Sequence, residues 1–365
     1  MRRFTFYRQM MATMPLWLAL VFVTIDVASK GENLMTVPPL QKMGPMAISP
    51  DGKLLATRRF TGLWDKPGVL QVWTVPQGTL LWTAKQPVER LVAFSPDSAV
   101  LAVEAGIRRV AFWDTHTGRL KCELHLRQGR VCEGAFLPDG QTFIIALVHS
   151  VLPSSGALEL WNVKTGRLLR SLRAQTNVVS ALGVSPDGKA VAVASEDPGS
   201  TGTANRVNII DISTDSIRYS LSFSTNVWRI SSLAFSPDGK TLVGAGGLDT
   251  GNTSEIRFWD VATGDLEKML TQADFGALQP LSMEPELSFS PDGRMLAILG
   301  KQCALLVDSS TGKWKLAFGP EYPGPPDSPP DDQNWTVRLF PKRLLRAKVN
   351  HLDQVEVDSI PYGEK

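Results

Sequence analysis

The sequence predicts an all-β chain, a β-propeller built from four-stranded antiparallel blades, and three observations predict it. The tetrapeptide Ser-Pro-Asp-Gly or a near copy occurs six times, at Ser49–Gly52, Ser95–Ser98, Leu137–Gly140, Ser185–Gly188, Ser236–Gly239 and Ser290–Gly293. A second signal follows each copy: Trp73-Thr, Trp113-Asp, Trp161-Asn, Ile210-Asp, Trp259-Asp and Val307-Asp. Five residues beyond the first member of each pair stands a turn residue, Gly78, Gly118, Gly166, Asp215, Gly264 or Gly312, and that interval never varies. Two motifs in constant order over six copies define a structural repeat.

Each element follows from local chemistry. Proline sets φ near −65° and Asp-Gly accepts a tight turn, so each tetrapeptide closes a hairpin between two apolar strands, a and b. Val92-Ala-Phe before Ser95 and Leu101-Ala-Val after it show the pair. The Thr-Gly positions close a second hairpin between strands c and d, as in Phe112-Trp-Asp-Thr-His-Thr-Gly-Arg-Leu. A lone four-stranded sheet has two apolar faces and cannot bury both. Radial packing of such sheets solves this and leaves only short edges.

At these residues the chain resembles the WD-repeat propeller family, in the Ser-Pro-Asp-Gly-rich form common in bacteria. The resemblance covers about residues 40–320 and implies a protein-binding scaffold. One departure stands out. The Gly-His pair that often opens a family repeat is absent, so the family's Asp-His-Ser/Thr-Trp hydrogen-bond network does not carry over. Apolar packing is expected to hold the blades instead, with Trp73, Trp113, Trp161 and Trp259 between them.

A seventh unit is predicted from Trp335–Pro341, with Leu344–Val349 and Gln354–Asp358 as strands b and c. The segment 33–37 would supply its strand d, so that the N-terminal strand closes the ring with the C-terminal blade and removes a free edge. Six blades are the alternative. The expected organisation is a leader at 1–29 and one propeller domain at 30–361. Its repeats fall near 40–85, 86–127, 128–174, 175–224, 225–272, 280–320 and 334–361.

The leader carries Arg2, Arg3 and Arg8, then an apolar run from Pro15 to Ile25 and small residues to Ser29. This pattern predicts a secretory signal and an exported protein: periplasmic, secreted or held in the cell envelope. The run falls short of the roughly 18–20 residues that span a bilayer, and membrane attachment is expected only if the leader stays uncleaved. Lys+Arg 38 against Asp+Glu 36 gives a net charge of +2, which argues against nucleic acid as a partner. The 3 cysteines, Cys122, Cys132 and Cys303, form no Cys-x-x-Cys pair, and the 4 histidines form no metalloprotease motif. No disulfide scaffold, metal or cofactor is expected.

Strand alternation puts the a–b and c–d turns on one face and the b–c and d–a connections on the other. All length variation falls on the second face. Its b–c loops include 59–66, 149–155, 196–206 and 248–255, and its d–a connections lengthen at 271–284 and 320–334. Loops on a rigid scaffold commonly carry function, so this face is the candidate protein- or peptide-binding surface. Arg59, Glu104, His149, Glu196, Asp249 and Lys301 end the b strands as a mixed-charge ring, and Trp64 in the first loop is a candidate anchor. The bland alternative is a solvated rim. The Pro-rich segment 320–334 reads as a stiff acidic connector or a polyproline II ligand. No nucleophile elbow, phosphate loop or calcium loop is present. The competing readings are a hydrolase or lactonase using Glu104, Glu196 and Asp249, and a purely structural envelope module.

Overall fold

A computed structural model describes residues 32–37, 43–59, 68–75, 77–149, 155–176, 178–196, 205–224, 227–248, 254–275, 285–299, 304–318, 335–340, 343–349 and 355–361. The described strands form seven four-stranded antiparallel sheets. The first holds β2 (Met43–Ile48), β3 (Leu54–Arg59), β4 (Gly68–Thr74) and β5 (Leu80–Val88). The second holds β6 (Arg90–Phe94), β7 (Val100–Glu104), β8 (Arg109–Asp114) and β9 (Leu120–His125). The third holds β10 (Arg130–Phe136), β11 (Thr142–His149), β12 (Ser155–Asn162) and β13 (Arg167–Thr176). The fourth holds β14 (Val178–Val184), β15 (Ala190–Glu196), β16 (Arg206–Asp211) and β17 (Ser216–Ser222). The fifth holds β18 (Val227–Phe235), β19 (Thr241–Leu248), β20 (Ser254–Asp260) and β21 (Leu266–Leu270). The sixth holds β22 (Glu286–Phe289), β23 (Met295–Leu299), β24 (Ala304–Asp308) and β25 (Trp314–Phe318). In the last, β26 (Trp335–Phe340), β27 (Arg343–Val349) and β28 (Val355–Pro361) pair in order, and β1 (Glu32–Val37) pairs with β28. This is the all-β architecture of stacked four-stranded sheets that a β-propeller requires. Residues 1–31 and the segment 319–334 lie outside the described residues.

The first strands lie against one another in the order β2, β6, β10, β14, β18, β22 and β26, and β26 lies against β2. Apolar layers join the first six sheets in succession. One joins Phe112 and Leu124 of the second sheet to Phe143 and Trp161 of the third. Another joins Val207 and Phe223 of the fourth to Leu242 and Trp259 of the fifth. Trp73, Trp113, Trp161 and Trp259 are all buried.

Five of the six described a–b turns share one wiring. In Ser185–Gly188 the Ser185 hydroxyl donates to Asp187 Oδ1 (2.7 Å), Lys189 N–H donates to the same oxygen (3.0 Å), and Ala190 N–H donates to Ser185 Oγ (2.9 Å). The pattern recurs at Ser49, Ser95, Ser236 and Ser290. Leu137 cannot supply it, and there Asp139 instead takes Thr142 N–H and hydroxyl, each at 2.8 Å. The fourth turn position is left-handed throughout, including the one serine, Ser98 (φ 62°).

The c–d turns are wired by the residue after the Trp-type position. Asp114 Oδ1 accepts Thr117 N–H and hydroxyl, both at 2.9 Å, and Asn162 Oδ1 does the same for Thr165 at 2.8 and 2.9 Å. Partial burial works against the Asp114 charge, but the Thr117 donors and Lys121 outweigh it and hold the carboxyl down to about 2. A group whose folded-state pKa is depressed contributes stability above its unfolded pKa of about 4, and that contribution is lost as pH falls through the folded value. Asp114→Asn keeps the oxygen acceptor, as Asn162 shows, and removes the titration. Its stability should therefore fall less steeply than wild type between about pH 4 and 2, by about 1 kcal/mol after solvent screening. Urea denaturation across that range checks this, and parallel curves would refute it.

Polar contacts add to the apolar packing between sheets. Nine residues after five of the Trp-type positions, Trp73, Trp113, Trp161, Ile210 and Trp259, strand d carries a residue that reaches the next sheet's c–d turn. Trp82 Nε1 donates to Thr115 O (2.7 Å), and its ring stacks on Trp113 with centroids 5.9 Å apart. Arg170 Nη1 donates to Ile212 O and Ser213 O, and the Tyr219 hydroxyl donates to Ala262 O. Lys268 Nζ donates to Ser309 O and Ser310 O, while Cys122 Sγ packs beneath Gly166. A side chain at Gly118 would fall 2.5 Å from the Trp82 ring, so the left-handed glycine also makes room for the neighbouring sheet. Trp73 Nε1 donates to Thr57 Oγ1 at 3.1 Å, whereas Trp113 Nε1 is buried without a partner.

Candidate functional site

On the b–c/d–a face, strand ends of the first three sheets bring together a buried charge cluster. Arg90 opens β6 and Glu104 closes β7, so antiparallel register sets them opposite one another. Arg90 Nε lies 3.3 Å from Glu104 Oε2, its Nη2 donates to Cys132 O (2.9 Å) in the third sheet, and its Nη1 lies 3.6 Å from Glu133 Oε1. Burial holds the Glu104 carboxyl above its usual range, although Arg90 pulls the other way. The Arg58 guanidinium is buried next door, and desolvation lowers it to about 10 against the pull of Glu89 and Glu104. Burial also lifts the Cys132 thiol to about 11, which leaves it a poor nucleophile.

The predicted ring residues divide accordingly. Glu104 is engaged by Arg90 rather than presented to solvent, with 12% of its side chain exposed. Arg59 ends β3, half-buried. His149 and Glu196 end β11 and β15, paired in register with Ser155 and Val178. Trp64, Asp249 and Lys301 lie outside the described residues. Among the described residues no three His, Cys, Asp or Glu side chains gather to hold a metal ion.

Two buried polar groups at the loop roots escaped sequence reasoning. Glu255, 4% exposed, accepts Arg257 Nε (2.5 Å) and the Ser224 hydroxyl, while Arg257 Nη1 donates to Ser222 O (2.8 Å). This ties the root of the loop at 249–253 to the fourth sheet. Asn205, 3% exposed, donates through Nδ2 to Val227 O and ties the root of the loop at 197–204 to the fifth. Ile107 was also missed. It caps the b–c turn of the second sheet at 72% exposure, with exposed Arg108, Arg109, Arg127 and Arg130 in the turns and strand ends around it. An apolar residue inside a Gly-Ile-Arg-Arg turn was the available signal.

Residues 217–260, running from β17 to the end of β20, match the family model described as WD domain, G-beta repeat. Autophagy-related protein 16 of Arabidopsis thaliana is 28% identical to this chain over 175 residues, which is 48% of the chain and 30% of the relative. The chain thus spans under a third of the relative's length. Both findings support a WD-repeat family for this protein.

Proposed function

We propose that the protein is a non-enzymatic, exported scaffold of the Ser-Pro-Asp-Gly-rich WD-repeat type. It binds a protein or peptide through the face carrying the b–c and d–a connections. One observation carries the reading: the roots of the variable loops at 197–204 and 249–253 are locked to adjacent sheets by Asn205 and Glu255, both buried. Rigid roots beneath long loops are how scaffolds pre-organise a binding surface. The Arg-rich turns around exposed Ile107 extend that surface with a residue type, arginine, favoured at interfaces.

The test is to shorten both loops at 197–204 and 249–253 while keeping Asn205 and Glu255. Affinity capture from envelope and secreted fractions should then lose a partner that wild type retains, with the thermal midpoint unchanged within about 2 °C. A partner retained by the shortened protein would place binding elsewhere. Capture of nothing by either version would favour the structural module.

A further inference from the structure

The b–c turn of the second sheet, Ala105–Arg109, is short and braced. Ala105 N–H donates to Arg109 O and Arg109 N–H donates to Gly106 O, each at 3.0 Å. The Arg109 guanidinium ties it down from the side, with Nη2 on Ala105 O (2.7 Å) and Nη1 on Glu123 Oε1 (3.1 Å). Leu126 N–H donates to Arg108 O (2.9 Å) and fastens the turn to the d–a connection at 126–129. The two residues at the tip are Ile107 and Arg108. Where a turn needs a left-handed residue, Gly, Asn or Asp adopts it at least cost. Here Arg108 holds φ 63°, so a long cation stands where a glycine would be easier. Ile107 beside it is 72% exposed. Among the described residues, every other exposed large apolar side chain lies on a d strand, as Leu80, Leu169 and Met269 do. Ile107 alone stands on the loop face.

The charges around this tip do not cancel. Arg109 is paired with Glu123, and Arg90 holds both Glu104 and Glu133. Arg130 lies near enough to Glu104 to stabilise its carboxylate as well. These three cations and three carboxylates balance. Arg108 and Arg127 are the surplus: both are exposed, and neither has a carboxylate at ion-pair distance among the described residues. Arg108 Nη1 reaches Arg127 O at 3.4 Å, which keeps the two together. A surface complementary to this tip brings an apolar contact for the isoleucine and negative charge for two guanidinium groups. One isoleucine and two arginines hold a protein to a lipid surface only marginally. A braced tip gives up little freedom on docking, and arginine forks pair with carboxylates, so an acidic protein segment is the better match.

We propose that the Ile107 tip docks an acidic segment of a partner protein, with Ile107 against an apolar side chain of that segment and Arg108 and Arg127 on its carboxylates. The inference rests on the loop face being a protein-binding surface and adds the chemistry of the partner. A random twelve-residue peptide library displayed on phage tests it, panned on the immobilised protein with soluble Ile107→Asp protein as competitor. Enriched sequences should carry net negative charge and a large apolar residue. The most enriched peptide, made synthetically, should bind Ile107→Asp at least about tenfold more weakly and Arg127→Gln about three- to fivefold more weakly. Its affinity should fall as salt rises from about 0.05 to 0.5 M. Arg108→Gly suits the left-handed position, so it should weaken the peptide while the thermal midpoint stays within about 2 °C or rises. The protein shortened at 197–204 and 249–253 keeps the tip and should bind the peptide as wild type does, which tells failure of the tip from failure of the long loops. Loss of the peptide in that shortened protein would assign it to the loops and overturn the proposal. So would enrichment without acidic bias, no enrichment at all, or equal affinity for wild type and Ile107→Asp. Co-sedimentation with phosphatidylserine vesicles that Ile107→Asp abolishes would assign the tip to lipid instead.

Discussion

Phe143→Ala should destabilise the protein by about 3–5 kcal/mol, lowering the urea midpoint with an unchanged slope. Phe143 is fully buried in β11 and meets Phe136 and Phe112 edge to face, with centroids 4.8 and 5.2 Å away. Phe112 comes from the second sheet, so one truncation opens a cavity inside the layer between two sheets and removes two aromatic pairs. The site is poorly placed to collapse. Its walls are strand side chains held by two hydrogen-bonded ladders, and Gly134 already lies so close that a side chain there would fall 2.8 Å from the Phe143 ring. Phe143→Leu, which keeps most of the volume, should cost under about 1.5 kcal/mol. A loss below 1 kcal/mol for the alanine variant would show that the sheets relax toward each other and that the layer is less rigid than its packing implies.

Much of the fold was legible because its information is local. A Ser-Pro-Asp-Gly turn is wired within six residues, and an Asp-x-x-Thr-Gly turn within five, so composition and spacing suffice to place both hairpins. Even the exceptions read correctly: Asp215 adopts the left-handed conformation expected of a glycine, at φ 60°. What joins one sheet to the next was not legible. Trp82, Cys122, Arg170, Tyr219 and Lys268 share one structural position and almost no chemistry. Only the constant spacing of nine residues from the Trp-type position could have linked them. The candidate site was legible as a face but not as residues. Strand alternation places Glu104 at a strand end without saying that Arg90, fourteen positions earlier, faces it across the ladder. Likewise Glu255 reads as part of a variable loop, although its carboxylate is buried and bonded to Arg257 and Ser224. Burial of a charge depends on partners brought in from neighbouring sheets, and periodicity within one sheet carries no trace of them.

Arg90→Met is the second large effect expected, a loss of about 3 kcal/mol despite good shape replacement. The methionine fills the space of the aliphatic stem but leaves Glu104, itself 12% exposed, without its hydrogen-bonded cation and Cys132 O without its donor, with only Arg58 and Arg130 left to offset the charge. Removing one partner of a buried pair exposes the desolvation cost that the pair had offset. Removing both need not. Arg90→Met with Glu104→Gln should therefore recover at least half of the loss, because the neutral amide tolerates burial and retains hydrogen-bonding capacity. The single variant should also respond to pH. With Arg90 gone, the Glu104 carboxyl should rise further above its usual range, so the folded state binds a proton more readily than the unfolded chain. A raised carboxyl contributes stability at low pH and loses it as pH climbs through the folded-state value. The Arg90→Met deficit should accordingly shrink at about pH 5 and be fullest at pH 8, whereas the double variant should show no such slope. An equal deficit at both pH values would mean that the lost stability comes from the Arg90 bridge to Cys132 O and the third sheet rather than from the stranded charge.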